Sequence, residues 1–140
     1  LVPKMQEKKW GRVVHISSIA GEENQGPIPY CASKSALNAY TRSFGRLVSP
    51  DGVIVTAVLP GAVMTEGGYW HEASENNPDH VKKYLEDRMA IRRFGEPDEI
   101  GKAAAFLCSA NADYITGTVL PVDGGYRYKD CRVDQGRLRP

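Results

Sequence analysis

Tyr30 and Lys34 lie four residues apart in a stretch whose apolar spacing predicts a helix, so both side chains project from one face. A phenol ordinarily titrates near ~10 and exchanges protons poorly at neutral pH. An ammonium beside it favours the phenolate, which makes the pair a general acid or base for a carbonyl or alcohol centre. A solvated surface pair is the other reading of the same spacing. Ser18 follows the β-branched run Val13-Val14-His15-Ile16 and so falls at the carboxyl end of a strand, where ligands gather in open α/β sheets. Its hydroxyl there would polarise a substrate oxygen. Ser17 is the fallback for that role, and a turn or helix cap is the competing use of the serine pair. Pro60-Gly61 ends a second run and would share the rim, unless it is only a strand-terminating turn.

The elements that must hold these groups are legible from periodicity. Val13–Ile16 reads as a strand buried on both faces, and Val53–Leu59 is the clearest strand in the chain. Between them, Gly21–Pro29 reads as a polar loop, and Tyr30 to about Val48 as a helix. Its residues Leu37, Tyr40, Phe44, Leu47 and Val48 are expected to face the core. Ala62–Pro78, polar and carrying Gly67-Gly68, reads as a long loop. A weaker helix is expected over Asp79–Met89. Another begins at Pro97, with Asp98 and Glu99 in its first turn and Ile100, Ala103, Ala104 and Leu107 as its buried stripe. Thr118–Val122 completes the order as a short strand before Asp123-Gly124-Gly125. Strand, helix, strand, helix, helix, strand implies an α/β fold with a parallel sheet and covering helices.

Five segments in this order resemble the short-chain dehydrogenase/reductase family, from Gly11 to Gly125. They are Gly-Arg-Val-Val-His-Ile-Ser-Ser-Ile-Ala-Gly (11–21), Tyr-Cys-Ala-Ser-Lys (30–34), Pro-Gly-Ala-Val-Met-Thr (60–65), Arg-Arg-Phe-Gly-Glu-Pro-Asp-Glu-Ile (92–100) and Tyr-Ile-Thr-Gly-Thr-Val-Leu-Pro-Val-Asp-Gly-Gly (114–125). The resemblance implies the second half of a doubly wound, parallel-sheet Rossmann fold with helices covering the sheet and the first half absent. It implies an NAD(P)-dependent oxidoreductase that interconverts a ketone and a secondary alcohol, 3-oxoacyl thioesters and keto-sugars both remaining open. Tyr30 would be the acid/base. Lys34 would lower its pKa and bind the nicotinamide ribose, and Ser18 would hold the substrate oxygen. Pro60, Gly61, Val63 and Thr65 would line the cofactor together with Tyr30 and Lys34, Val63 meeting the carboxamide through its backbone. Tyr69 and Trp70 are candidate substrate contacts, with an exposed or core-packed aromatic pair as the alternative. The family also associates through the helix carrying Tyr30 and Lys34 and through the last helix and strand, so a homo-oligomer is expected.

Two departures qualify the match. The chain carries no G-x-G-x-x-G phosphate turn, so the choice between NAD and NADP cannot be read, and residue 1 is expected to fall within an element. The Ser18–Tyr30 spacing is one residue shorter than in many family members. These features leave a second expectation of another class: a catalytically inactive fragment that serves only as an oligomerising or interaction module.

Composition excludes several partners. The 140 residues carry a formal net charge of +1, with 18 scattered Lys and Arg, which gives no footing for nucleic acid. No apolar run is long enough to span a membrane. Cys31, Cys108 and Cys131 lack metal spacing and form an odd set, so free thiols in the cytoplasm are expected and no metal. His15 reads as a packed, hydrogen-bonded residue, and Cys31 as a small buried one. Residues 1–125 form the expected domain, and 126–140, with five Arg or Lys, a poorly ordered tail.

Overall fold

The computed structural model describes residues 1–23 and 26–126. The expectation about the tail after Tyr126 lies outside the described residues, as does Cys131.

Strand β1 spans Gly11–Ile16, β2 Val53–Pro60 and β3 Val119–Val122. Among the described residues they form one parallel sheet in the order β1-β2-β3. The register sets His15 opposite Ala57 and Ile16 opposite Val58, then Pro60 opposite Val122. All three carboxyl ends therefore open onto one rim. The central strand is the core: Val53, Val55, Ala57, Val58 and Leu59 are fully buried, each Val or Leu contributing about 1.5–3 kcal/mol of burial.

Alternation along the strands directs successive side chains to opposite faces. Helix α1 (Val2–Glu7) and helix α3 (Ile28–Val48) cover one face, packing Val2, Met5, Phe44 and Val48 on Val13, Val53 and Val55. Residue 1 thus leads directly into a helix. Helix α6 (Pro97–Cys108) covers the other face, placing Leu107, Ile100 and Ala103 on Val14, Val58 and Leu120. As the sequence predicts, α6 starts at Pro97; a reciprocal capping box between Glu96 and Glu99 fixes its first turn. The link from α3 to β2 is a 3₁₀ turn at Ser49–Asp51 closed by Gly52, whose φ of 76° and close approach to the Lys9 carbonyl suit only glycine.

Three expectations need correction. Ala62–Pro78 is not one loop: Tyr69–Asn76 forms helix α4, followed by α5 at Pro78–Arg88. Only Trp70 and Ala73 of α4 reach the core cluster, too few to announce a helix by periodicity. A short helix α2, Ala20–Glu23, also interrupts the Gly21–Pro29 loop, and α3 begins at Ile28 rather than Tyr30. The third concerns the face of α3. Cys31, Asn38, Thr41, Gly45 and Val48 are its buried residues, whereas Tyr40 and Leu47 are 52% and 72% exposed. Small and polar side chains let the helix sit close to the sheet, so much of the apolar stripe is turned outward.

Helices α4 and α5 lean on the rim through an aromatic cluster. The Trp70 ring lies 4.1 Å from that of Tyr84 and 4.9 Å from that of Phe94, and Tyr84 in turn contacts Tyr126. Burial, followed by the neighbouring Tyr126, pushes the Tyr84 phenol well above its ordinary pKa, so it stays protonated. Trp70 is therefore packed, while Tyr69 is largely exposed.

Candidate active site

The rim at the carboxyl end of β1 is tied to that of β2 by backbone alone. Ser17 N–H donates to the Val58 carbonyl (2.9 Å) and Ile19 N–H to that of Pro60 (3.2 Å), so Ser18 sits between two rungs that continue the sheet. The Ser18 hydroxyl accepts from Ala20 N–H at 3.1 Å, a cap at the start of α2. That bond uses a lone pair and leaves the hydroxyl proton uncommitted among the described residues. Ser17 differs. It is buried, and its hydroxyl donates to Asn38 Oδ1 at 2.5 Å. The serine-pair cap and the open hydroxyl thus coexist at Ser18, and the fallback residue is occupied elsewhere.

Tyr30 and Lys34 lie in the first turns of α3, with the Lys34 ammonium 5.6 Å from the centre of the Tyr30 ring. The ammonium donates to the Ile16 carbonyl at 3.0 Å, the last residue of β1. An ammonium has three donors, so two remain for other oxygens. Tyr30 is 43% exposed, its ring open to solvent at the rim. Among the described residues its hydroxyl makes no hydrogen bond to Ser18, and Lys34 ties the helix to the last residue of the strand.

The Pro60–Thr65 segment leaves β2 on the same rim. Gly61 N–H donates to Val122 O at 3.0 Å, and a Cβ at Gly61 would stand 2.6 Å from the Asp123 Cα, so any larger residue would prise the two strand ends apart. Beyond it the chain pairs with the approach to α6: Val63 bridges Gly95, with Gly95 N–H on Ala62 O at 2.9 Å and Met64 N–H on Gly95 O at 2.8 Å. Thr65 is exposed and closes a turn by accepting from Gly68 N–H at 3.0 Å. Ser18, Lys34, Pro60 and Gly61 are thus brought to one rim, and Val63 and Thr65 follow along its edge.

Among the described residues no three His, Cys, Asp or Glu are placed to hold a metal, and no helix is long and apolar enough to cross a membrane. Cys31 is buried and Cys108 exposed, both as free thiols. His15 is half-buried and bonded to Thr41 at 2.8 Å, the packed role its strand context predicts. Asn38 had no counterpart among the sequence-derived candidates. Its only signal is a polar residue one turn beyond Lys34, on the helix face that packs.

A parallel sheet with helices on both faces defines the class, a Rossmann-type α/β domain. Residues 1–127 match the family described as enoyl-(acyl carrier protein) reductase. The 3-oxoacyl-[acyl-carrier-protein] reductase of Aquifex aeolicus is 36% identical over 123 residues, covering 87% of this chain and 47% of that protein. L-Xylulose reductase of Caenorhabditis elegans is 43% identical over 117 residues, 83% of this chain and 45% of that one. The crystal structure of a 3-oxoacyl (acyl-carrier-protein) reductase from Agrobacterium tumefaciens C58 with NADP bound superposes with a TM-score of 0.81 at 32% identity, covering 89% and 48% of the two chains. The chain belongs to the short-chain dehydrogenase/reductase family, and it spans about half the length of the relatives it matches.

Proposed function

We propose that this chain carries the proton-transfer half of an NAD(P)-dependent reductase that interconverts a ketone and a secondary alcohol. The observation that supports it is the contrast between the two serines: Ser17 spends its proton on Asn38, while Ser18 keeps its own free beside the strand end to which Lys34 is tethered.

In the reductive direction the Ser18 hydroxyl donates to the substrate carbonyl oxygen and polarises it. Tyr30 gives its phenolic proton to that oxygen as the alkoxide develops. Lys34 stabilises the phenolate left behind through one of its free N–H groups, and another fits a ribose hydroxyl. Pro60, Gly61, Val63 and Thr65 would hold the nicotinamide end of a dinucleotide along the rim. When bound, the dinucleotide supplies the hydride. The oxidative direction reverses each step. The named activities of the relatives, on a 3-oxoacyl group and on a keto-sugar, share a carbonyl, and a ketone is accordingly the substrate class assigned here.

The test is Tyr30→Phe in an enzyme that carries this chain. Reduction of a 3-oxoacyl thioester or a keto-sugar with NADPH or NADH should fall by roughly 10²–10⁴-fold, with cofactor affinity unchanged by fluorescence titration. Near-normal turnover by the variant would remove Tyr30 from the mechanism.

A second reading, an interaction module without turnover, is favoured by the outer face of α3. Ile28, Tyr40 and Leu47 are 85%, 52% and 72% exposed there. A second copy of this chain is the occupant assigned to that face. The two readings separate on nucleotide binding, which a pure module lacks.

A further inference from the structure

The segment that carries Ser18 is held to α3 on both sides of that residue. Upstream, Ile16 O accepts from the Lys34 ammonium at 3.0 Å, and the Ser17 hydroxyl donates to Asn38 Oδ1 at 2.5 Å. Downstream, Ser35 Oγ donates to Gly21 O at 2.6 Å, and a Cβ at Gly21 would stand 2.7 Å from the Lys34 carbonyl carbon. Lys34, Ser35 and Asn38 thus grip residues 16–21 from one turn of helix. The same turn follows directly from Tyr30.

Asn38 is the least expected member of this grip. It is 1% exposed, and its Nδ2 has no hydrogen-bond partner among the described residues. Leaving a buried amide donor unpaired opposes stability. An apolar side chain of similar size would avoid that cost, and the neighbouring packed residues of α3 include Cys31 and Val48. What the amide provides is the acceptor that fixes Ser17, one bond from the backbone of Ser18.

We infer that Asn38 is a positioning residue: through the Ser17 hydroxyl it sets the place of Ser18 relative to Tyr30 and Lys34. The inference rests on the role given to Ser18 above. A misplacement of about 1 Å in a reacting constellation costs rate far out of proportion to the stability involved. The grip therefore acts on turnover, and the unpaired amide is the concession made for it.

The experiment compares the parent protein with Asn38→Leu and Ser17→Ala, first without cofactor. Amide hydrogen exchange at Ser17, Ile19 and Gly21, whose N–H groups bond Val58, Pro60 and Ser18, should quicken by about tenfold or more in either variant. The melting temperature of Asn38→Leu should stay near that of the parent, because losing the unpaired Nδ2 donor offsets losing the acceptor of the Ser17 hydroxyl, which has the Lys34 carbonyl at 3.4 Å to turn to. In an enzyme that reduces a carbonyl, kcat should fall by about tenfold or more with the KM for the dinucleotide unchanged. The double variant should be no worse than the worse single, since both substitutions break one bond. Unchanged exchange at those amides, or a parental kcat in Asn38→Leu, overturns the inference. If Asn38→Leu does not fold, Ser17→Ala alone decides it by the same exchange measurement. A parent that reduces no carbonyl defeats the functional reading, and the exchange rates then decide the grip by themselves.

Discussion

The imidazole of His15 bonds Thr41 Oγ1 at 2.8 Å, and the Thr41 hydroxyl donates its own proton to Leu37 O. Thr41 can therefore only accept, so His15 carries its proton on Nδ1. Burial holds the imidazole pKa below the ordinary 6.5. The unfolded chain then binds the proton more readily than the folded one, and stability falls as pH drops from 6.5 towards the lowered value. Above 6.5 the contribution is fully present. His15→Asn keeps an N–H donor for Thr41 and removes the titration. Its melting temperature should stay flat across that window, where the parent's declines in calorimetric scans. A parallel decline in both would place the effect elsewhere. The acid limb lower down belongs to Glu99, held at a pKa of about 2 first by Arg93 and then by the Glu96 N–H, and to Asp51, lowered first by its hydrogen bond from Lys9 and then by that from Gln6. The stabilisation from Glu99 is present above 4.5 and is lost as pH falls from there towards about 2. At this scale the sequence singled out the residues proposed to react, Ser18, Tyr30 and Lys34, because chemistry needs particular functional groups at particular spacings. It showed nothing of Asn38, because a positioning residue is defined by what it touches.

The helices divide by how their cores are made. The start of α6 was legible to the residue, since Pro97 and the acidic first turn are local signals, and Leu107 of the expected stripe is buried with Ile100 and Ala103 packed beside it. α4 was not, because Trp70 anchors it through one large ring in place of a repeating stripe. In α3 the periodicity was real but only part of the stripe faces the sheet: Phe44 and Val48 pack there, while Tyr40 and Leu47 are turned outward. The buried face depends instead on close approach. A Cβ on Gly45 would lie 2.8 Å from Gly117 N and 3.0 Å from its Cα, backbone atoms already committed by the Gly117 N–H bond to Val55 O. Gly45→Ala gains roughly 1 kcal/mol of helix propensity. It must then displace that loop, an overpacking cost of about 1–3 kcal/mol. The clash should win, and the urea midpoint should fall with the m-value unchanged. A raised midpoint would mean that α3 lifts freely off the Gly117 loop before β3.

At the scale of the molecule, two surfaces are left open, and they differ in kind. Ile16, the last residue of β1, is 52% exposed, and β1 has no strand on its outer side among the described residues. That edge offers backbone hydrogen bonds as well as side chains. The outer face of α3 offers only side chains, Ile28, Tyr40 and Leu47, on a helix whose inner face already holds the sheet and the Ser18 grip. Covering the helix would stiffen the element that carries Tyr30 and Lys34, so association and catalysis would share one support. Leu47 stands near the far end of α3 from Tyr30 and touches none of the rim. Leu47→Glu places a charge within any covered face that includes this end of α3, where desolvation is costly, and leaves an uncovered one unaffected. Sedimentation of the parent should give a multiple of the 15.4 kDa chain and of the variant a species at or near the single-chain mass, with both folded by circular dichroism. If the variant keeps the parent's mass, association runs through the β1 edge, where backbone pairing is indifferent to Leu47. A parent already at single-chain mass would leave the helix face uncovered and withdraw the second copy as its occupant.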